Sequence, residues 1–540
     1  MKTKLLLILF FGLFQVSHSQ EHAWVYFTDK PNEATFLAAP LTMLSQEALD
    51  RRAQYGILPD SKDVPLETTY VSQIASATGI SVLARSKWLN ALHIEGTEVN
   101  INALTVLSFV DSVDFADKSL NPGSKIKKNK LIRKNQDKLK IDTIFDYGNA
   151  ANQIEMLGGD VLHLNNFTGT GMQIAVIDAG FPNVNTMAAF QRLRDNDQIK
   201  GGYDFVNRST NFYSGHSHGT AVLSTIGGYV ENQFVGTAPD ADFYLFISED
   251  SSSEIPLEES LWVEAAEKAD SLGVDVINTS LGYSTFDDAK YNYSYSDMDG
   301  ETTFITRGAD IAFSRGMIIV NSAGNEGNNS WQYVTAPADG FNVLTIGAVN
   351  STEVIAAFSS IGPTSDGRIK PDVCAQGEAA YYINTSGTIV TGNGTSFSSP
   401  ILTGVVACLW QAFPDKTNAE ILDLVRESAD LYATPTNQKG YGVPDFESIF
   451  NSLDIDDENL DYFVIGPNPT DNELVFKIPS ETNEIEVIIY SLLGEQISEY
   501  KLDRLNNKIS IESLSNSIYL VKVSDKNQTQ TFKIIKNNAE

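Results

Sequence analysis

An acid, an imidazole and a hydroxyl stand in three short segments of this chain: VIDAG at Val176–Gly180, SHGT at Ser217–Thr220 and GNGTSFSSP at Gly392–Pro400. Along the chain they run Asp178, His218, Ser396, one of the few orders in which a catalytic triad is laid down. Residues of these types can perform nucleophilic acyl transfer. The imidazole takes the hydroxyl proton, the carboxylate orients the imidazole, and the oxygen attacks a carbonyl carbon. His216 competes with His218 for the role of base, being two residues away.

Each of the three residues has a sequence context that can position it. Asp178 ends the apolar run Met172–Asp178, which reads as a buried parallel strand. Catalytic groups in open α/β sheets collect at the carboxyl ends of such strands. His218 is followed by Gly219, Thr220 and an apolar helical stretch containing Val222, Leu223 and Ile226. Ser396 opens another helix, which directs its backbone N–H toward the place where an oxyanion forms. That helix is apolar nearly all round (Ile401, Leu402, Val405, Val406, Leu409, Trp410, Phe413), so it is expected to run through the core. Pro400 is expected in its first turn, where a missing N–H costs little.

From Gly148 to Phe450 apolar strand candidates alternate with amphipathic helices. The strands are Gln173–Asp178, Asp242–Ile247, Val274–Thr279, Met317–Ser322 and Val343–Val349; the helices lie near Leu257–Leu272 and Thr303–Arg315. This alternation predicts an α/β domain with a parallel sheet covered by helices on both faces.

The three segments resemble the active-site signatures of the subtilases, the subtilisin-like serine proteases, and the resemblance covers about Gly148 to Phe450. It selects His218 over His216, because the family base directly precedes Gly-Thr. It adds MIIVNSAGNEG (Met317–Gly327), in which Asn325 matches the side-chain amide that joins the N–H of the nucleophilic serine in the oxyanion hole. INTSLG (Ile277–Gly282) matches the family's substrate-binding strand and nominates Ser280, Leu281 and Gly282, whose backbone would pair with an extended peptide. TAPADGFNVLTIGAV resembles the pocket-lining stretch and puts Thr335 near the pocket base. The implied activity is peptide-bond hydrolysis with no required cofactor, on protein or peptide substrates.

Composition narrows the setting. The chain has 540 residues and a formal net charge of −31. Its length calls for more than one domain. Its charge argues against nucleic-acid binding, which needs a basic footprint. Residues 1–19 read as a secretory signal: Lys2 and Lys4, a short apolar core Leu5–Phe14, then Ser17 and Ser19 before a cut at Gln20. The apolar run is too short to span a bilayer and no later stretch qualifies, so a soluble monomer without stable membrane insertion is expected. The only two cysteines, Cys374 and Cys408, exclude a stapled scaffold. They read as buried thiols, with one disulfide the alternative in an exported protein.

Residues 20–117 form a separate unit of short strands and helices: AWVYFTD, LSQEALDRRAQYG, Leu66–Ala77, a hairpin in ISVLARSKWLNALHIEG, Val99–Leu107 and FVDSVDF. It resembles the subtilase propeptide by pattern and position; an unrelated binding domain is the alternative. A linker, 118–147, follows. Within it Lys125–Lys140 carries eight basic residues and one acid, a solvated run open to a processing protease. The catalytic domain spans 148–452 and an acidic linker 453–461. In 462–540 the period-two runs NELVFKI, IEVIIYSLLG, KISIESL, SIYLVKVSD and QTFKIIK read as a small antiparallel β-sandwich. GPNPT (Gly466–Thr470), IYSLLGE, SNSIYLVKV and the terminal FKIIK resemble the type IX secretion sorting domain, although Ser517 stands where that family usually has glycine. The resemblance implies the type IX secretion machinery as a partner, and a secreted or cell-surface location reached through the periplasm of a diderm bacterium.

Two other functions compete. A serine esterase would place its nucleophile in G-x-S-x-G with the order Ser…Asp…His, which this chain lacks. A non-catalytic binding protein on a protease scaffold is opposed by the presence of all four catalytic-type residues. For metal, SDMDGET (Ser296–Thr302) offers Asp297, Asp299 and Glu301, oxygen donors of the type calcium takes, without a full EF-hand pattern. An ordinary acidic loop is the expectation there, with calcium the alternative.

Overall fold

The computed structural model describes residues 19–121, 145–453 and, within 464–536, all but 467–472, 479–481, 483, 492–493, 504–505 and 527–528. The secretory signal up to residue 18, the basic run Lys125–Lys140, the acidic linker from residue 454 and most of GPNPT lie outside the described residues.

The N-terminal unit is a four-stranded antiparallel sheet of β1 (Gln20–Phe27), β2 (Ile80–Ser86), β3 (Ala91–Thr97) and β4 (Val110–Phe115), in spatial order β2-β3-β1-β4. Helices α1 (Gln46–Gln54) and α2 (Thr68–Ala75) lie in sequence between β1 and β2. The expected hairpin is β2–β3. Ser45 caps α1 by accepting the Ala48 N–H at 3.1 Å.

The middle of the chain forms a seven-stranded sheet. Its strands in chain order are β5 (Gln173–Asp178), β6 (Ile199–Asp204), β7 (Asp242–Ile247), β8 (Val276–Thr279), β9 (Ile318–Ser322), β10 (Val343–Val349) and β11 (Val373–Gln376). In space they run β11-β10-β9-β8-β5-β7-β6, with every pairing parallel. Sequence periodicity missed β6: IKGGYD is glycine-rich and sits at an edge, so it carries no apolar run. Along β5, Ile174 and Val176 enter one buried core while Ala175 and Ile177 enter the other. Helices α3 (His218–Gly227) and α6 (Thr395–Ala412) share the first core, and α4 (Leu257–Leu272) and α5 (Phe304–Ser314) the second. Burial on both faces explains why these strands read as continuous apolar runs.

The C-terminal unit contains two antiparallel sheets. One joins Val464–Gly466, Glu473–Lys477 and Lys508–Ser510; the other runs Gln496–Leu502, Ile485–Ser491, Ser517–Ser524, Thr529–Lys536. Leu474, Phe476, Val487, Val521 and Val523 belong to its separate core.

The N-terminal sheet packs against α4 and α5. Trp24 stacks on Phe304 with centroids 5.0 Å apart and donates its indole N–H to Ser260 at 2.8 Å. Glu267, on α4, accepts the Ser86 hydroxyl and the Lys87 and Trp88 N–H groups. Beyond the sheet, α1 makes a second attachment. Arg52 is fully buried, with its guanidinium on Asp63 at 2.7 and 2.8 Å and on Asp270 at the end of α4. Arg51 also reaches Asp270, at 2.7 Å. Tyr55 stacks on Trp410 of α6. Removing one member of such a buried cluster strands the others in low dielectric. Arg52→Ala is therefore expected to lower the stability of the intact chain by about 3–5 kcal/mol. Urea denaturation measures this; a loss within the range of an exposed ion pair, below about 1 kcal/mol, would contradict it.

Candidate active site

Asp178 ends β5 and is buried, and its Oδ1 accepts the Ala179 N–H at 2.7 Å. His218 is the first residue of α3. Its Nδ1 lies 2.8 Å from Asp178 Oδ1 and 3.0 Å from Oδ2, so both carboxylate oxygens face one ring nitrogen. A third of the His218 side chain is exposed, leaving the ring open on its other edge. The Asp178 charge raises the imidazole pKa above its ordinary 6.5, against burial, with a further contribution from Glu249. His216 is exposed, and its Nδ1 accepts the His218 backbone N–H at 3.3 Å. It caps the helix start rather than meeting Asp178.

Register aligns the remaining groups. Thr279 on β8 pairs with Ile177 on β5 and with Asn321 on β9, so Ser280 follows level with Asp178 and Ser322. Ser396 is the second residue of α6 and meets Ser280 twice. Its hydroxyl donates to the Ser280 carbonyl at 3.4 Å, and the Ser280 hydroxyl donates to the Ser396 carbonyl at 3.2 Å. Among the described residues no hydrogen bond joins Ser396 to His218 directly. Pro400 corrects one expectation. It is the sixth residue of the helix, inside it rather than in its first turn. Its missing N–H frees the i−4 carbonyl, that of Ser396, and the Ser280 hydroxyl takes the vacant place.

Asn325 follows β9 in the turn that starts at Ala323. Its Oδ1 accepts the Thr395 N–H at 2.9 Å and the Thr395 hydroxyl at 3.1 Å. Both bonds fix the amide with its NH₂ as the free end. The Phe397 N–H bonds to Gly394 O, while the Ser396 N–H between these two has no acceptor among the described residues. Two unspent donors thus border Ser396 at a helix N-terminus. Gly394 (φ +156°) keeps the space clear: a Cβ there would lie 3.6 Å from Ser396 N and 3.8 Å from Asn325 Oδ1.

Beside Ser396, Gly282 is exposed and makes no backbone hydrogen bond among the described residues, while Tyr283 turns away to pair with Ala336. Asn321 Nδ2 reaches the Leu281 carbonyl at 3.4 Å. Thr335 is buried beside this segment. Two supporting residues escaped sequence reasoning, Thr395 and Asn278. Asn278 Oδ1 accepts the hydroxyls of Ser399 and Thr403 on α6, and its Nδ2 donates to Ser280 Oγ. A fully buried amide in the middle of β8 was the available signal.

Two acids of the 296–302 loop are engaged by neighbouring groups of the chain. Asp297 takes the Ser294 N–H and hydroxyl and pairs with Lys118 at 2.7 Å. Asp299 takes the Glu301 and Thr302 N–H groups. Among the described residues, the carboxylates placed so that they could share a metal ion are Glu249, Glu254 and Glu258, whose oxygens lie within 4.8 Å of one another. Burial raises the carboxyl pKa of all three, so they tend to hold protons near neutrality without a cation. Both cysteines are buried free thiols, and no disulfide joins them.

Comparison with known proteins finds three family models along the chain. The subtilase family model matches residues 169–443, the Bacteroidota peptidase S8 propeptide model 22–135, and the secretion system C-terminal sorting domain 464–537. Subtilisin NAT from Bacillus subtilis subsp. natto is 32% identical over 283 residues, covering 51% of this chain and 65% of that protein. The match thus spans just under two thirds of that relative's length. Subtilisin from Bacillus pumilus is also 32% identical over 283 residues, covering 51% of this chain and 90% of the relative. Serine protease AprX from Bacillus subtilis (strain 168) is 27% identical over 295 residues, covering 49% and 62%.

The Asp178–His218 contact has a titration consequence. A histidine whose folded pKa is raised above its unfolded value stabilises the fold fully below the unfolded pKa, and that contribution is lost as pH rises through the folded pKa. The neutral ring, the form able to accept a proton, accumulates over the same upward interval. NMR titration of the imidazole is expected to give a midpoint above 6.5 for His218 and a lower one in Asp178→Asn. An unchanged midpoint in the variant would remove Asp178 as the cause.

Proposed function

The chain belongs to the subtilase family, and on that premise we propose that it is a secreted serine endopeptidase acting through an acyl-enzyme on Ser396. The observation that carries this reading is the contact of His218 Nδ1 with both oxygens of buried Asp178, beside a serine flanked by two unspent donors.

Substrate enters extended, its backbone pairing with the free edge at Ser280–Gly282. Rotation about χ1 of Ser396 turns the hydroxyl from Ser280 O toward His218 Nε2, an alignment that free enzymes commonly reach only with substrate bound. His218 takes the Oγ proton as Oγ bonds to the scissile carbon, and the carbonyl π electrons move onto its oxygen. Asn325 Nδ2–H and the Ser396 N–H hold that oxyanion. Asp178 fixes the ring with Nε2 free and stabilises the imidazolium. The C–N bond then breaks and His218 protonates the departing amine. Water attacks the ester, giving a proton to His218, which returns it to Oγ as the acid leaves. The scheme requires no cofactor. A calcium ion at Glu249, Glu254 and Glu258 would be structural.

The chain is proposed to divide into a signal (1–19), a propeptide (20–117), a basic linker (118–147), the catalytic domain (148–452), an acidic linker (453–461) and a sorting domain (462–540). The sorting domain makes the type IX secretion machinery a partner and a secreted or cell-surface location the destination. Passage through the periplasm is the further proposal. Among the described residues no helix is long and apolar enough to cross a membrane.

A fluorophosphonate probe tests the chemistry. The active protein is expected to label on Ser396 and to hydrolyse peptides. Ser396→Ala and His218→Ala are expected to abolish hydrolysis, Asn325→Ala to reduce kcat on the order of 100- to 1000-fold, and His216→Ala to retain turnover. A protein that binds peptides without labelling would be a binding module, and one that labels but cleaves only esters an esterase.

Export and processing can be read together on the secreted protein. N-terminal sequencing is expected to find a start between Asp117 and Gly148, and deletion of 461–540 to hold a folded protease in the periplasm. A start at Gln20, or normal yield of the truncated form in the medium, would overturn the respective assignment.

A further inference from the structure

Asn278 stands in the middle of the sheet, on β8 between Val176 of β5 and Val320 of β9, and is fully buried. An amide in such a place is costly unless its polar atoms are engaged. Its Oδ1 accepts the hydroxyls of Ser399 at 3.2 Å and Thr403 at 3.0 Å, and its Nδ2 donates to Ser280 Oγ at 3.2 Å. Ser399 and Thr403 follow Ser396 at helical spacing on α6, so the amide grips the helix below the attacking serine.

A hydroxyl has one proton to give. Ser280 Oγ receives the Asn278 N–H, so its own proton is left for the Ser396 carbonyl, which it reaches at 3.2 Å. That carbonyl has lost its helical donor, because Pro400 carries no N–H. Among the described residues the donor that reaches it from outside α6 is Ser280. With the Ser280 proton committed there, Asn278 must turn Nδ2 toward Ser280 and Oδ1 toward α6. Ser280 also touches Ser396 a second time, its carbonyl accepting the resting hydroxyl at 3.4 Å. That contact must break when the hydroxyl swings toward His218. The bond to the Ser396 carbonyl need not.

We propose that Asn278 and the Ser280 side chain are positioning residues for the attacking serine. The relay from Asn278 Nδ2–H through Ser280 Oγ–H to the Ser396 carbonyl fixes the first turn of α6 against the segment that holds the scissile peptide. Both act through Ser396 rather than on the substrate. The attacking oxygen and its target must meet at a near-attack separation, and a displacement of about 1 Å can cost on the order of 100-fold in rate. The proline's missing N–H is what hands this control to a hydroxyl of another strand. The inference rests on the serine peptidase reading above and deepens it.

The test is a double-mutant cycle on the secreted, processed protein, read by peptide hydrolysis and by the rate of labelling with a fluorophosphonate. Ser280→Ala removes the hydroxyl and keeps the backbone. It is expected to lower kcat about tenfold with KM within about twofold of wild type. The labelling rate is expected to fall by the same factor, since the small probe reports on Ser396 without the peptide-binding edge. Pro400→Ala returns an N–H to that position and lets the helix satisfy the Ser396 carbonyl itself. In that background Ser280→Ala is expected to cost less than about threefold, whereas a substitution that only destabilises would cost the same in both. Asn278→Asp, which keeps the shape but replaces the donor with an acceptor, is expected to match Ser280→Ala. If it yields no folded protein, the Ser280 cycle decides alone. Rates are taken per labelled site, so a partly folded preparation does not mimic the effect. A raised KM with kcat unchanged would make the Ser280 hydroxyl a substrate contact, and an equal loss in both backgrounds would sever it from the carbonyl that Pro400 frees. Either result overturns the positioning role and leaves the peptidase reading intact. A wild type that does not label at Ser396 would overturn both.

Discussion

A parallel sheet requires each strand to return to the same end by a crossover, and here that requirement gathers the chemistry. The order β8-β5-β7 puts β5 where the winding reverses, so the chain departs from either side of its carboxyl end. Asp178 ends β5, Ser280 follows β8 and Asn325 follows β9, all on one edge. The helices that supply His218 and Ser396 both begin there. The Asp178–His218 contact, the reciprocal Ser280–Ser396 bonds and the Asn325–Thr395 bonds are three separate ties across that edge. Each can form only because the strands are in register.

Pro400 shows how a local defect becomes a long-range bond. A proline inside a helix leaves one carbonyl without its N–H. In this helix the carbonyl belongs to Ser396, and the hydroxyl of Ser280 satisfies it. The lost helical bond is replaced by one that ties α6 to the segment following β8. Asn278 reinforces the tie from below by accepting Ser399 and Thr403.

Burial of charge sets the character of the N-terminal interface. Glu267 and Glu259 on α4 are pushed up to about 7 by burial, and both are held by hydrogen bonds, Glu267 to residues of the N-terminal unit. Arg52 meets Asp63 from its own unit and Asp270 from α4, with none of the three in contact with water. Separation of the two units would return these groups to solvent, but it would also uncover Trp24 and Tyr55. Attachment by α1 is thus a second contact, independent of the sheet that covers α4 and α5.

Much of this could be read along the chain. The apolar runs ending in Asp178 and in Ser322 marked buried parallel strands, because a strand covered on both faces has no polar side to break the pattern. The hairpin β2–β3 and the alternating strands after residue 462 were likewise legible, since period and turn chemistry are local properties. Other features had no local signature. Strand β6 takes its place from pairing with β7 and carries glycines where a periodic pattern would need side chains. The 296–302 loop offered closely spaced acids, yet folding turned Asp299 onto the loop's own N–H groups and Asp297 onto Ser294 and Lys118, while Glu249, Glu254 and Glu258 were gathered by the turn that leads from β7 into α4. The partners of Arg52 are 11 and 218 residues away, and only packing brings them to one guanidinium. Residue type and order settled which groups can react. Tertiary structure decided which hydroxyl meets which carbonyl and which charges are buried. Those depend on distances between segments that are remote in sequence, and no local pattern encodes them.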